Sequence, residues 1–292
     1  MIEQMRNQYS VKELCTALSV SRSGYHAWKV RTPGKREQEN QKMVEAIKEV
    51  HEHRFKRAYG SPRMTTELKD LGFDCSENRV ARNMKKAGIR GKSRRPFRPK
   101  TTRADSLAKA SPNELAKQDP PTQPGQQVVS DITYIPTREG WLYLTVVLDL
   151  FSRAILGWDL SESLAADTVG RSLYKTQAWP CLSSDTLFHS DRGCQYTSQE
   201  VRKILQQAGW TQSMSAKGYC YDNAYAESFF ASFKCESLPD SGIFETKQQA
   251  RRTVFDYIES FYNRSRQHSG IGSLSPVKFL ELYFQNQNLH IN

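Results

Sequence analysis

Six cysteines in 292 residues, with no CxxC pair among them, leave little basis for a disulfide framework or a zinc site. Cys15, Cys75, Cys181, Cys194, Cys220 and Cys235 are scattered along the chain and read as reduced and structural. His51 and His53 lie two apart, but no cysteine pair stands at finger spacing to complete four zinc ligands. Long apolar runs are also missing: nothing approaches the roughly 20 residues of a membrane span. The opening MIEQMRNQYS lacks the apolar core of a secretory signal. A cytoplasmic protein without a membrane partner is the expectation.

Negative charge is absent where positive charge is densest. Residues 1–120 carry 27 Lys+Arg against 14 Asp+Glu, whereas residues 121–292 carry 15 against 17. All of the +11 formal charge therefore belongs to the front of the chain. Such asymmetry points to a polyanion-binding front joined to a differently built body. From Arg82 to Arg103 there are ten basic residues and no acid. A solvated charged face usually alternates its signs, so phosphate contact is favoured over a solubility tail.

The front reads as helices. Ser10 and Glu13 form a capping box ahead of Leu14 and Leu18, and Ser21 caps a second short helix through Tyr25 and Trp28. That outline suits a helix-turn-helix and an ordinary helical hairpin equally well. Met43, Ile47 and Val50 continue a helical period. Ser61-Pro62 is expected to start another helix, with Ser61 as its cap, and Ser76 caps a third that stops at Gly88. This second helix-turn-helix leaves Arg79, Arg82, Lys85 and Lys86 free for a partner, and the basic surface continues through Arg90, Lys92, Arg94, Arg95, Arg98 and Lys100. The expected organisation is a helical segment at 1–38, a helix-turn-helix DNA-binding domain at 39–95 and a basic, proline-containing linker at 96–125. A catalytic core at 126–240 and a helical extension at 241–292 follow.

After residue 126 the pattern becomes three strands, helix, strand, helix, strand, helix. That order predicts a mixed α/β layer with an antiparallel front and parallel additions. Sites in such sheets form at the carboxyl ends of strands. Asp131 falls in the first strand, Asp191 ends the fourth, and Glu227 lies in an apolar stretch of the last helix. If the first and fourth strands are neighbours, both aspartates meet at one edge. Three converging carboxylates repel one another unless a divalent cation neutralises them, and oxygen-only ligands select Mg²⁺ or Mn²⁺. Two such ions would suit in-line attack on a phosphodiester. Singly, each acid has an ordinary alternative as an edge residue, a turn starter or a salt-bridge partner. Asp149 is read as pairing with Arg153, Asp159 as an exposed strand-end residue and Asp222 as a helix cap.

The blocks SDITYIPT around Asp131, HSDRGCQYTS around Asp191 and YDNAYAESFFASFKCE around Glu227 resemble the three signature blocks of DDE transposases. Thirty-five residues separate Asp191 from Glu227, the spacing typical of the retroviral-integrase superfamily, and Lys234 matches a basic residue on the same helical face. YNRSRQHSGIGSLSP at 262–276 is similar to the closing block of these proteins. With SVSRSGYHAW and YGSPRMTTEL, the resemblance is to the second-frame (OrfB) product of the bacterial insertion-sequence family numbered three. Ser130 and Ser273 stand where relatives more often have Thr and Tyr. The resemblance implies an RNase H-like core with a mixed five-stranded sheet, preceded by small all-α domains. It also implies a transposase that cleaves and joins the element's own terminal repeats with two Mg²⁺ (or Mn²⁺) ions held by Asp131, Asp191 and Glu227. Lys234, Arg266 and His268 are expected to contact DNA, with general acid an alternative role for His268. Implied partners are double-stranded DNA of element ends and target, further copies of the chain on that DNA, and the upstream-frame (OrfA) product or a fusion with it. A bacterial, nucleoid-associated location goes with this. An RNase H-type nuclease and a non-catalytic DNA-binding regulator are the alternatives.

Overall fold

The computed structural model describes residues 1–92, 111–216 and 224–289. The first three helices, α1 (Ile2–Met5), α2 (Val11–Ala17) and α3 (Arg22–Val30), bury only Leu14, Cys15 and Tyr25. Ser10 and Glu13 form the anticipated capping box, and the Ser21 hydroxyl accepts from the Gly24 amide. Next come α4 (Lys35–Glu52), α5 (Ser61–Asp70) and α6 (Glu77–Lys86). The cap of α5 is Gly60 rather than Ser61, because the Gly60 carbonyl already accepts the first helical bond, from Met64. Ser76 caps α6, and Gly88 follows its end at φ +71°.

The sheet runs in the order β3-β2-β1-β4-β5. Strands β1 (Gln127–Thr137), β2 (Gly140–Asp149) and β3 (Ile155–Ser161) are antiparallel. Strands β4 (Leu187–Ser190) and β5 (Thr211–Met214) join parallel to β1, as the expected adjacency of first and fourth strands requires. Along β2 the alternation of strand side chains sends Leu142, Leu144, Val146 and Leu148 into one core and Val147 into another. The second core is closed by α7 (Ala166–Gln177), α8 (Cys194–Thr197), α9 (Gln199–Ala208) and α12 (Pro276–Leu289). Helix α7 lies flush on β3 where Gly157 leaves room for the Ser172 carbonyl and Thr176.

The first core is closed by α10 (Ala224–Ser237), α11 (Lys247–Phe255) and the π-helical stretch Asp256–Tyr262. It continues without a break into Met43, Ile47, Met64, Leu68, Val80 and Met84 of the helical domain. Phe55 and Tyr59 bridge the two parts: Phe55 lies 5.3 Å from Tyr257 and 5.1 Å from Phe261, ring centre to ring centre. Aromatic pairs contribute about 0.5–1.5 kcal/mol each beyond their buried area. The helical domain is thus fastened to the sheet domain by apolar contact.

Candidate active site

Asp131 shares the parity of Val129 and Ile135, which pack in the first core, so it faces the α10 side of the sheet. In the parallel β1–β4 ladder Ser130 is the register partner of Ser190. Asp131 and Asp191 therefore leave adjacent strands at the same level. The Asp191 Oδ1 accepts the Gly193 amide at 2.9 Å, which begins the turn into α8. The Asp131 Oδ1 accepts the Ile132 amide at 2.8 Å. Glu227 arrives in the first turn of α10. It is solvent-exposed there, not sunk in the apolar stretch as its neighbours suggested, because Ala226, Phe229, Phe230 and Phe233 take the inward face.

These charges feel one another. Burial, then the negative charge of Asp191 and more weakly that of Glu227, push the Asp131 carboxyl up to about 8, while the Ile132 amide and the Lys234 ammonium oppose the rise. Lys234 is half-buried; burial lowers its pKa and the charge of Asp131 works against that. Beneath the aspartates the Tyr196 hydroxyl pairs with Ser130 Oγ at 2.9 Å. Burial and both aspartates raise that phenol, so it stays a neutral floor to the site. Tyr196 stands inside HSDRGCQYTS, yet nothing in the sequence singled it out. Among the described residues no three His, Cys, Asp or Glu side chains are gathered closely enough to hold one ion between them. The donors present nonetheless fit a hard divalent cation, since all are carboxylate oxygens and their mutual repulsion is what a cation would relieve.

Several expected roles change. Asp149 is fully buried and takes the amides of Gly125 at 3.0 Å and Ser152 at 2.8 Å instead of pairing with Arg153. Burial raises its carboxyl, and those bonds oppose the rise. The Arg153 guanidinium lies 3.8 Å above the Tyr225 ring. Asp159 is buried, held by Arg171 at 2.8 Å and Lys175 at 3.3 Å from α7, not exposed at a strand end. Asp222 lies outside the described residues.

Of the expected DNA contacts, Arg82, Lys85, Lys86 and Arg90 are exposed on or just beyond α6. Arg79 instead braces α6 to α4, with Nε on Asn40 at 2.9 Å and Nη2 on Glu39 at 3.0 Å. Lys92 reaches the Leu238 carbonyl and Asp240, both 3.0 Å away past the end of α10. Arg94, Arg95, Arg98 and Lys100 lie outside the described residues. The closing block turns inward. Arg266 is buried against Glu236, and Asn263 clasps both backbone groups of Ile155 at 2.9 Å. The Tyr262 ring is buried against Phe229, and His268 packs edge-on to it. Burial, reinforced by Arg266, Arg63 and Arg153, drives His268 down to about 2. A histidine held neutral in this way offers a phosphate no positive charge, and it carries no acidic proton to donate near neutral pH. The buried partner Glu236 had no signal in sequence, because its ligands are 30 and 173 residues distant.

Comparison with known proteins agrees with this architecture. Two models described as Integrase core domain match residues 121–220 and 208–276, and one described as HTH-like domain matches 37–97. Transposase InsF for insertion sequence IS3A of Escherichia coli (strain K12) is 39% identical over 293 residues, covering 99% of this chain and 98% of the relative. The uncharacterized 31 kDa protein of insertion element IS600 from Shigella sonnei is 38% identical over 272 residues, covering 93% of this chain and 99% of that one. Among solved structures, the simian T-cell lymphotropic virus intasome chain has 10% identity and a TM-score of 0.42, with coverage of 81% of this chain and 73% of that chain. The HTLV-2 integrase catalytic core domain in complex with magnesium has 13% identity and a TM-score of 0.38, covering 54% of this chain and 97% of that chain. No described helix is long and apolar enough to cross a membrane. With an RNase H-like core, an HTH-like domain and near full-length identity to InsF, the chain belongs to the IS3 family of DDE transposases.

Proposed function

We propose that Asp131, Asp191 and Glu227 are the catalytic trio of this transposase, and that they hold two Mg²⁺ or Mn²⁺ ions while the ends of an insertion sequence are cut and joined to target DNA. The observation that carries this reading is the β1–β4 register: it sets Asp131 and Asp191 side by side, and burial together with the Asp191 charge pushes the Asp131 carboxyl up to about 8. A fold does not tolerate such like-charge crowding without a use for it or a neutralising partner. Bound divalent ions would supply charge neutralisation and stabilise both the attacking and the leaving oxygens of the phosphodiester. The chain's own residues do the rest. The Ile132 and Gly193 amides fix the two aspartates, and the Tyr196–Ser130 pair closes the floor of the site against water. Lys234 holds a positive charge beside Asp131, where it would meet a substrate phosphate. The exposed cations Arg82, Lys85, Lys86 and Arg90 would grip the DNA backbone. We further propose double-stranded DNA of element ends and target as the substrate, several copies of the chain on that DNA, and cooperation with an upstream-frame product.

The test is strand cleavage and joining on labelled DNA bearing the element's ends, with Mg²⁺, comparing wild type with Asp131→Asn, Asp191→Asn and Glu227→Gln. Loss of both steps in all three variants, with DNA binding kept, is the expected result. An acid variant that stays active removes that residue from the trio. If wild type is inactive, the same assay on a fusion with the upstream-frame product decides whether that partner is required.

A further inference from the structure

A cavity of about 360 Å³ opens where the helical domain meets the C-terminal end of α10, and four of the five charged residues in its wall are cations. Arg54 and Arg57 enter it from the turn after α4, and Arg90 and Lys92 from the segment after α6. Asp240 is the one acid among the lining residues. Arg54 already leans on Thr253 and Asp256, and Lys92 on Asp240. Arg57 and Arg90 are exposed, and neither side chain has a partner among the described residues. In the same wall His51 Nδ1 is buried without a hydrogen-bond partner among the described residues.

Two features distinguish this place from an ordinary solvated face. The first is that like charges converge from separate segments. Like charges brought close together repel unless an anion lies between them. The second is that the segments are fastened together. Gly91, between Arg90 and Lys92, is pressed so closely on the Ala58 and Tyr59 backbone that a Cβ there would sit 2.9 Å from three of its atoms. The Lys92 amide then donates to the Arg57 carbonyl at 3.1 Å. Preorganised cations lose less entropy when they take up a ligand. From Glu227 to Ser237, at the cavity's edge, α10 advances ten residues, about 15 Å of helix.

We propose that this cavity seats a backbone phosphate of bound DNA, with Arg57 and Arg90 as its free donors. It would fix the strand about one helix length from Glu227. The proposal rests on the reading that the chain acts on DNA, and extends it to Arg57 and to a junction between the two parts of the fold. Arginine suits the task because its planar fork meets two phosphate oxygens at once.

The test uses the full chain and a labelled duplex, with affinity measured across a salt series. The variant Arg57→Ala/Arg90→Ala is compared with Lys203→Ala/Lys278→Ala, which removes equal charge from exposed positions on α9 and α12, across the sheet. The slope of log affinity against log salt should fall by about 0.9 in the cavity variant, the value of the one phosphate it seats, with roughly tenfold weaker binding at low salt. The control should keep its slope. Equal slopes in the two variants would overturn the proposal, because net charge alone would then explain binding. Binding of inorganic phosphate lost in the cavity variant while duplex affinity is unchanged would overturn it as well, marking a small-anion site. Cleavage is scored separately. A chain that binds with the expected slopes but cuts DNA neither alone nor fused to the upstream-frame product would sink the catalytic assignment and leave this seat standing.

Discussion

Arg266 meets Glu236 in a two-point ion pair, with Nε 2.7 Å from one carboxylate oxygen and Nη2 2.8 Å from the other. The same carboxylate takes the Tyr257 hydroxyl at 2.7 Å and Arg63 of α5 at 3.0 Å. The helical domain, α10 and the closing block of the chain therefore meet on one buried acid. Breaking a buried pair from one side costs about 3–5 kcal/mol, since the remaining charge keeps its desolvation penalty. Arg266→Ala should lower unfolding stability by about 3 kcal/mol, the low end of that range because Arg63 and Tyr257 remain. Arg266→Lys should recover only part of it, because an ammonium does not span both oxygens. Urea denaturation measures both. A variant with an unchanged midpoint and lost DNA affinity would return Arg266 to the DNA surface.

Gly157 makes a second prediction about stability. A Cβ at this position would lie 2.1 Å from Thr176 Oγ and 2.3 Å from the Ser172 carbonyl, so α7 would have to lift from β3. Overpacking of this kind typically costs about 1–3 kcal/mol, and Gly157→Ala should stand at the upper end. Adding Thr176→Ala should not restore the wild-type urea midpoint, because the backbone carbonyl remains. Full rescue by that second change would show that the hydroxyl alone was the obstacle.

The parts of the fold that were legible are those governed by local chemistry. Caps at Ser10, Ser21 and Ser76 lie beside the groups they satisfy, and strand alternation needs only neighbouring residues. The adjacency of β1 and β4 followed from asking where two acids at strand positions could meet. Distant partners were another matter. Composition gives the number of cations but not the acid each one finds. Arg79, Arg266 and Lys92 were assigned to DNA, yet meet Glu39, Glu236 and Asp240. Asp159 looked like a free strand end because Arg171 and Lys175 reach it only after α7 has folded back.

His268 should make the protein less stable in mild acid. An unfolded histidine titrates near 6.5, whereas the folded ring is held down to about 2 by burial and three arginines. Below about pH 6.5 the unfolded chain binds a proton that the folded chain refuses, so stability falls with falling pH through that range. Above it the contribution is fully present. His268→Gln should therefore lose less melting temperature than wild type between pH 7 and pH 5. Parallel curves for the two proteins would mean that the folded histidine protonates normally.

Lys234 joins the electrostatics of the site to its substrate. Its half-buried ammonium offsets the rise in the Asp131 carboxyl, and it shares α10 with Glu227. Removing it should leave the aspartates more strongly opposed and take one positive charge from the path of the scissile strand. Strand transfer by Lys234→Ala is expected to fall at least roughly tenfold, the effect of about 1.4 kcal/mol in the transition state. The salt slope of DNA binding should drop by about 0.9, the value of one phosphate contact. The melting temperature should barely move, because no ion pair of Lys234 supports the fold among the described residues. A normal slope with impaired transfer would confine Lys234 to setting the charge of Asp131. A normal slope with normal transfer would remove it from the site altogether.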